Sequence, residues 1–135
     1  MKGIADTGFL VAFANSNDTH HNWATQVATR VTEPLLTCEA VLAETAFHLK
    51  SVAVALAMLN EGLISLSFDC RDNLTQLAGL AERFSDQRPD LADLCLVRMS
   101  ELFPKHSVIT IDRTDFEIYR RNKREAIPIL CPPER

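Results

Sequence analysis

The sequence predicts an α/β domain built on a parallel sheet. Two observations predict it. Short apolar runs fall near residues 2–5, 34–37, 63–68, 107–111 and 127–130. Longer stretches with helical spacing separate them, the alternation expected of β-α units. With 135 residues and no repeat, linker or low-complexity tract, the chain reads as a single domain spanning 1–135.

A first strand covers about residues 2–5, and a helix follows from Thr7 to about Ala14. Asn15-Ser16-Asn17-Asp18 is a turn cluster, with Asp18 a cap for a helix running to about Val31. Pro34 to Thr37 reads as a buried strand, and Thr37 as the cap of the helix carrying Glu44. Ser51 caps the next helix, ended by Asn60 and Gly62. Leu63 to Phe68 alternates like a strand, and 70–84 is helical in pattern. Pro89 suits the first turn of a helix carrying Asp90 and Asp93. Ser107 to Ile111 is a strand, and Thr114-x-x-Glu117 reads as a capping box opening a short helix. Ile127 to Leu130 is a last strand, at an edge because of Pro128.

Composition excludes several classes. No apolar run approaches the ~20 residues that span a bilayer, and no secretory signal is visible. Cys38, Cys70, Cys95 and Cys131 lie far apart in sequence and form no C-x-x-C pair, which argues against a zinc knuckle. They read as reduced thiols, and so the protein as cytoplasmic. A net charge of −4 does not advertise nucleic-acid binding. Arg113, Arg120, Arg121, Lys123 and Arg124 nevertheless cluster near the C-terminus. They read either as a solvated basic face or as a patch that steers a polyanion.

Four acids interrupt or end apolar runs: Asp6, Glu44, Asp93 and Asp112. An acid in an apolar stripe is costly unless paired or bound to a cation. Helical neighbours lie three and four positions away. For Glu44 these are Ala40, Val41, Phe47 and His48; for Asp93 they are Pro89, Asp90, Leu96 and Val97. Neither set contains Lys or Arg. Clustered carboxylates with oxygen chemistry suit Mg²⁺ or Mn²⁺. Such a site can drive phosphodiester hydrolysis by activating a water and stabilising the leaving oxygen. Taken singly, each acid has a plainer reading: Asp6 as a cap, Glu44 as half of a distant ion pair, Asp93 as an exposed helix acid, Asp112 as a turn residue.

These residues resemble a known family. Asp6-Thr7-Gly8-x-Leu10-Val11-Ala12 is similar to the opening motif of PIN-domain ribonucleases. Thr37-x-Glu39-Ala40-Val41-Leu42-x-Glu44, Asp90-Leu91-Ala92-Asp93-x-x-Leu96-Val97 and Thr110-x-Asp112-x-x-Asp115-Phe116 are similar to the second, third and fourth. The resemblance covers nearly the whole chain and lies closest to the VapC-like toxins of bacterial toxin–antitoxin pairs. It implies a Rossmann-like, three-layer α/β/α fold with about five parallel strands in the order 3-2-1-4-5. It implies endonucleolytic cleavage of RNA with Mg²⁺ or Mn²⁺. Asp6 and Asp93 would be the principal metal ligands, Glu44 would hold metal or orient water, and Asp112 would complete the pocket. Thr7 and Thr110 would hydrogen-bond carboxylates or phosphate, while Asp90 and Asp115 are possible additional members. The resemblance further implies a homodimer and a cognate antitoxin.

Other features have competing readings. Phe9 and Phe47 are expected in the core, Trp23 at the core or an interface, and His20 and His21 early in a helix. The apolar segment from Ser51 to Leu59 is expected to pack into the core, with a dimer mate or an antitoxin helix as the other reading. Two functions compete with the toxin ribonuclease. One is an RNA-processing or non-catalytic PIN-domain protein that binds RNA or a protein partner. The other is an aspartyl phosphatase on Asp6, disfavoured because position 8 is Gly where that chemistry wants a second Asp.

Overall fold

A computed structural model describes residues 1–133. Five strands form one parallel sheet: β1 (Gly3–Ala5), β2 (Leu35–Thr37), β3 (Ile64–Leu66), β4 (Ser107–Ile109) and β7 (Ile129–Leu130). Their order is β3-β2-β1-β4-β7, every pair parallel. Counted over the sheet strands alone, this is the 3-2-1-4-5 order expected from the resemblance. Between β4 and β7 the chain inserts a two-stranded antiparallel hairpin, β5 (Arg120–Arg121) and β6 (Glu125–Ala126), which the sequence pattern did not reveal. Its turn puts Asn122 and Lys123 at positive φ. Pro128 sits just before the edge strand β7, and its carbonyl accepts from the Val108 amide at 2.9 Å. A residue without an N–H is tolerated at such an edge.

The helices are α1 (Thr7–Ala14), α2 (His21–Ala28), α3 (Glu39–Leu49), α4 (Val52–Asn60), α5 (Leu74–Arg83), α6 (Leu91–Leu102) and α7 (Arg113–Ile118). The core runs between the sheet and these helices, with Ile4, Leu35, Val108 and Ile109 from the strands and Phe9, Leu10, Val41, Leu96 and Val97 from the helices. Helix α6 is buried over most of its circumference. Full burial of each large aliphatic there contributes roughly 1.5–3 kcal/mol. That holds the N-terminus of α6, with its acids, rigidly against the sheet.

Several caps differ from the expected ones. Cys38, not Thr37, is the N-cap of α3, because the Thr37 hydroxyl donates instead to the Ala5 carbonyl of the neighbouring strand at 3.0 Å. Asp18 stays in the turn, its carboxylate accepting from the His20 amide at 2.8 Å, and α2 ends at Ala28. Asp90 caps α6 by accepting from the Asp93 amide at 2.8 Å, so Pro89 precedes the helix rather than opening it. Asp112 caps α7 by accepting from the Asp115 amide at 3.2 Å, in place of Thr114. Ser51 caps α4 as expected, accepting from the Val54 amide at 3.1 Å, and Gly62 takes positive φ just beyond that helix.

Three packing expectations fail. Phe47 is 77% exposed, and Val52 and Leu56 are 64% and 51% exposed. Only Ala55 and Met58 of α4 are fully buried. Arg121, grouped by sequence with a basic face, is 4% exposed and donates to the Ser100 carbonyl at 2.7 Å and to Glu125 at 2.7 Å. Phe9 is fully buried, with Trp23 edge-on to it at 5.9 Å.

Candidate active site

The site grows from the carboxyl ends of the two central strands, where open α/β sheets bind ligands. Asp6 follows β1 and caps α1, its Oδ1 accepting from the Thr7 amide at 2.7 Å. Its other oxygen accepts from the Thr110 hydroxyl at 2.6 Å. Thr110 follows β4 and is itself fully buried; its Oγ1 also accepts from the Asp112 amide at 2.9 Å. One threonine thus fixes Asp6 and shapes the turn that presents Asp112. Gly8 permits this approach: a Cβ there would lie 2.5 Å from Ile111 Cγ1.

Two further acids arrive from helices. The Thr7 hydroxyl donates to Glu44 Oε1 at 2.9 Å, tying α1 to α3. Asp93 lies in the first turn of α6, and the Tyr119 hydroxyl donates to its Oδ2 at 3.1 Å. Tyr119 follows α7 and is buried edge-on against Phe84 and Phe116. Sequence reasoning passed over Tyr119, because nothing local links it to Asp93.

These groups line one cleft of about 610 Å³. Its walls carry seven carboxylates, Asp6, Asp18, Glu44, Asp90, Asp93, Asp112 and Asp115, together with Thr7, Gly8, Val11, His48 and Ile111. Among the described residues, no Lys or Arg lines it. All four acids singled out in the sequence reach this cleft, as do Asp90, Asp115 and Thr7. Thr110 stands behind Asp6. Asp18, read in the sequence as a helix cap, and His48, named there only as a helical neighbour of Glu44, are further members. His48 sits four residues after Glu44, a spacing that already placed it on the same helix face.

The acids differ in environment. Asp6 is the only one fully buried. Burial raises its pKa from 3.8 to about 6, against the lowering effect of its bonds to Thr110 and Thr7. Asp93 is half-buried and rises to about 7, first through desolvation and then through the charges of Asp90 and Asp6. Desolvation and the charge of Asp90 also raise Glu44. Asp115 rises to about 6, chiefly through a hydrogen bond shared with Asp112. Asp112 is exposed, so the apolar run it ends does not bury it.

His48 is a charge partner for Glu44, but Asp6 and Asp93 are raised by desolvation and by neighbouring carboxylates, and a divalent ion would favour their ionised forms. The donor set is all hard oxygen, which fits Mg²⁺ or Mn²⁺ and not a soft metal. Among the described residues, no three His, Cys, Asp or Glu side chains close into a ready-made coordination cage.

No family model and no curated protein matches the sequence. Among solved structures, the chain is similar to the Mycobacterium tuberculosis toxin VapC20, described as a sarcin–ricin loop cleaving toxin. The two superpose with a TM-score of 0.66 at 17% identity, over 78% of this chain and 85% of that one. The likeness is one of fold. With its β3-β2-β1-β4-β7 parallel sheet, its flanking helices and this superposition, the chain has the fold of a VapC-like PIN domain.

Proposed function

We propose that the chain is a metal-dependent endoribonuclease that hydrolyses RNA phosphodiester bonds, and that it serves as the toxin of a toxin–antitoxin pair. The cleft with seven carboxylates and, among the described residues, only His48 as a basic side chain is the main support for this reading. The fold shared with a sarcin–ricin loop cleaving toxin adds to it. Asp6, Glu44 and Asp93 would hold Mg²⁺ or Mn²⁺. Bound there, such an ion would supply a water of lowered pKa and neutralise charge on the scissile phosphate.

The chain's own residues then have separable tasks. Thr7 and Thr110 hold Asp6 in one orientation, and Tyr119 does the same for Asp93. Glu44, aimed by the Thr7 hydroxyl, accepts a proton from the attacking water. Its raised pKa brings it nearer the operating pH, as general-base work requires. Asp112 and Asp115 add two further carboxylates to the cleft wall. Arg113, Arg120, Lys123 and Arg124 are the basic groups that would steer the RNA backbone; buried Arg121 is not one of them.

Partners follow from the other side of α3. Phe47, Val52 and Leu56 stand exposed around an apolar groove of about 1010 Å³. A second copy of the chain, or the antitoxin, would cover it. No helix among the described residues is long and apolar enough to cross a membrane.

The test is cleavage of total RNA by purified protein. Wild type should cut with Mg²⁺ or Mn²⁺, stop with EDTA, and lose the activity in Asp6→Asn. Cleavage indifferent to both chelation and that substitution would reject the mechanism.

A further inference from the structure

Outside the acidic cleft, three cysteines that lie far apart in the sequence come together, with Cys95 in contact with both Cys38 and Cys70. Cys38 caps α3, Cys70 precedes the short 3₁₀ turn Arg71–Asn73, and Cys95 lies in α6. The sulfurs of Cys70 and Cys95 are 3.6 Å apart. Cys95 is wholly buried, whereas Cys70 is partly exposed. Cys70 and Cys38 line a second cleft of about 530 Å³, separate from the acidic one. Small solutes therefore have a route to Cys70, and Cys95 stands behind it as a second thiol. Cys131, the fourth thiol, does not line this cleft.

We propose that Cys70 and Cys95 form an oxidisable thiol pair, converted by hydroperoxides into an intramolecular disulfide. The Cys70 sulfur attacks the terminal oxygen of the hydroperoxide. An S–O bond forms, the O–O bond breaks, and the alcohol leaves with a proton. This yields a sulfenic acid at Cys70. The Cys95 sulfur then attacks the Cys70 sulfur. An S–S bond forms, the S–O bond breaks, and the hydroxyl leaves as water with the proton of the Cys95 thiol. Two thiols lose two electrons; the peroxide is reduced to alcohol and water.

The geometry suits the second step. The sulfurs must close from 3.6 Å to a bond length of about 2.05 Å, a movement of roughly 1.5 Å. Cys70 sits in a loop between β3 and α5, where such a shift is cheap. Its partner is fixed in the buried helix α6. The bond would tie the loop to the helix that carries Asp93.

The experiment treats the folded protein with hydrogen peroxide, quenches by alkylation before unfolding, and maps the digested peptides by mass spectrometry. A peptide pair joined through Cys70 and Cys95, released by dithiothreitol, is the expected result. Cys131→Ser should form the same link, and Cys70→Ser should form none. Because Cys70 is partly exposed, its serine variant tests the pair without opening a cavity in the core. Two alkylated thiols at Cys70 and Cys95, or a link through Cys38 or Cys131 instead, would overturn the proposal. The map is read without any cleavage assay and is independent of the ribonuclease reading.

Discussion

Helix α3 separates two unlike surfaces. One side faces the acidic cleft, with Glu44 and His48; the other faces the apolar groove, with Leu42, Ala46 and Phe47. His48 borders both. The cleft gathers like charge and partly desolvates it. The groove leaves large apolar side chains in water. The first costs the isolated chain stability, whereas the second leaves apolar burial unrealised, and the two call for different kinds of test. Uncompensated carboxylates ask for a cation, whereas uncovered apolar surface asks for another macromolecule.

The sharpest way to separate the two is to damage one and measure both. Asp6→Asn should lower RNA cleavage by about 100-fold or more, since even groups that only orient ligands cost 10–100-fold. Self-association should be unchanged. Leu56→Asp should do the reverse, weakening self-association by about 2 kcal/mol or more in sedimentation equilibrium. Its metal-dependent cleavage should remain. A variant on either surface that abolished both properties would mean the two sides of α3 are one coupled site.

A third change reads the cost inside the cleft. Folding raises the pKa of Asp6 to about 6 and of Asp93 to about 7, so it favours their protonated forms. Their contribution to stability is full below the unfolded value of 3.8 and is lost as pH rises through about 6 to 7. Metal-free protein should therefore melt higher at pH 5 than at pH 7.5. Asp93→Asn keeps an oxygen for the Tyr119 hydroxyl and removes the charge. It should raise metal-free stability at pH 7.5 by roughly 1–2 kcal/mol, a figure discounted for the partial exposure of Asp93. It should also flatten the pH dependence. Calorimetric melting in EDTA across this range checks both.

The smallest expected effect belongs to Tyr119. Tyr119→Phe removes the bond to Asp93 and should cost roughly 10-fold in cleavage. The hydroxyl lowers the Asp93 pKa, so its loss should move the acidic limb of the pH–rate profile upward. A rate loss with no shift in that limb would make Tyr119 a packing residue only.

Much of this was legible in the chain. Asp6 before an apolar helix, Ser51 before another and Gly62 after it are local signals, and local hydrogen bonds decide them. The strand order came through the family resemblance. The failures are those of tertiary context. Thr37 has the chemistry of a cap, but the neighbouring strand's Ala5 carbonyl takes its hydroxyl. Phe47 has the spacing of a core residue, but periodicity cannot say whether an apolar face meets its own core or another molecule. Tyr119 reaches Asp93 from 26 positions away, and Cys70 reaches Cys95 from 25. No local pattern records either pair. The acids were readable because each breaks an apolar pattern; Thr7 and Thr110 came only through the family resemblance, and Tyr119 did not come at all, because a buried tyrosine breaks no pattern.

The central claim is that the cleft holds a divalent cation through Asp6 and Asp93. Calorimetric titration of Mn²⁺ into metal-free protein at neutral pH tests it most directly. Wild type should bind with proton release, since these two acids titrate near neutrality, and both Asp6→Asn and Asp93→Asn should lose the binding heat. No binding by the wild type, or equal binding by the two variants, would contradict it.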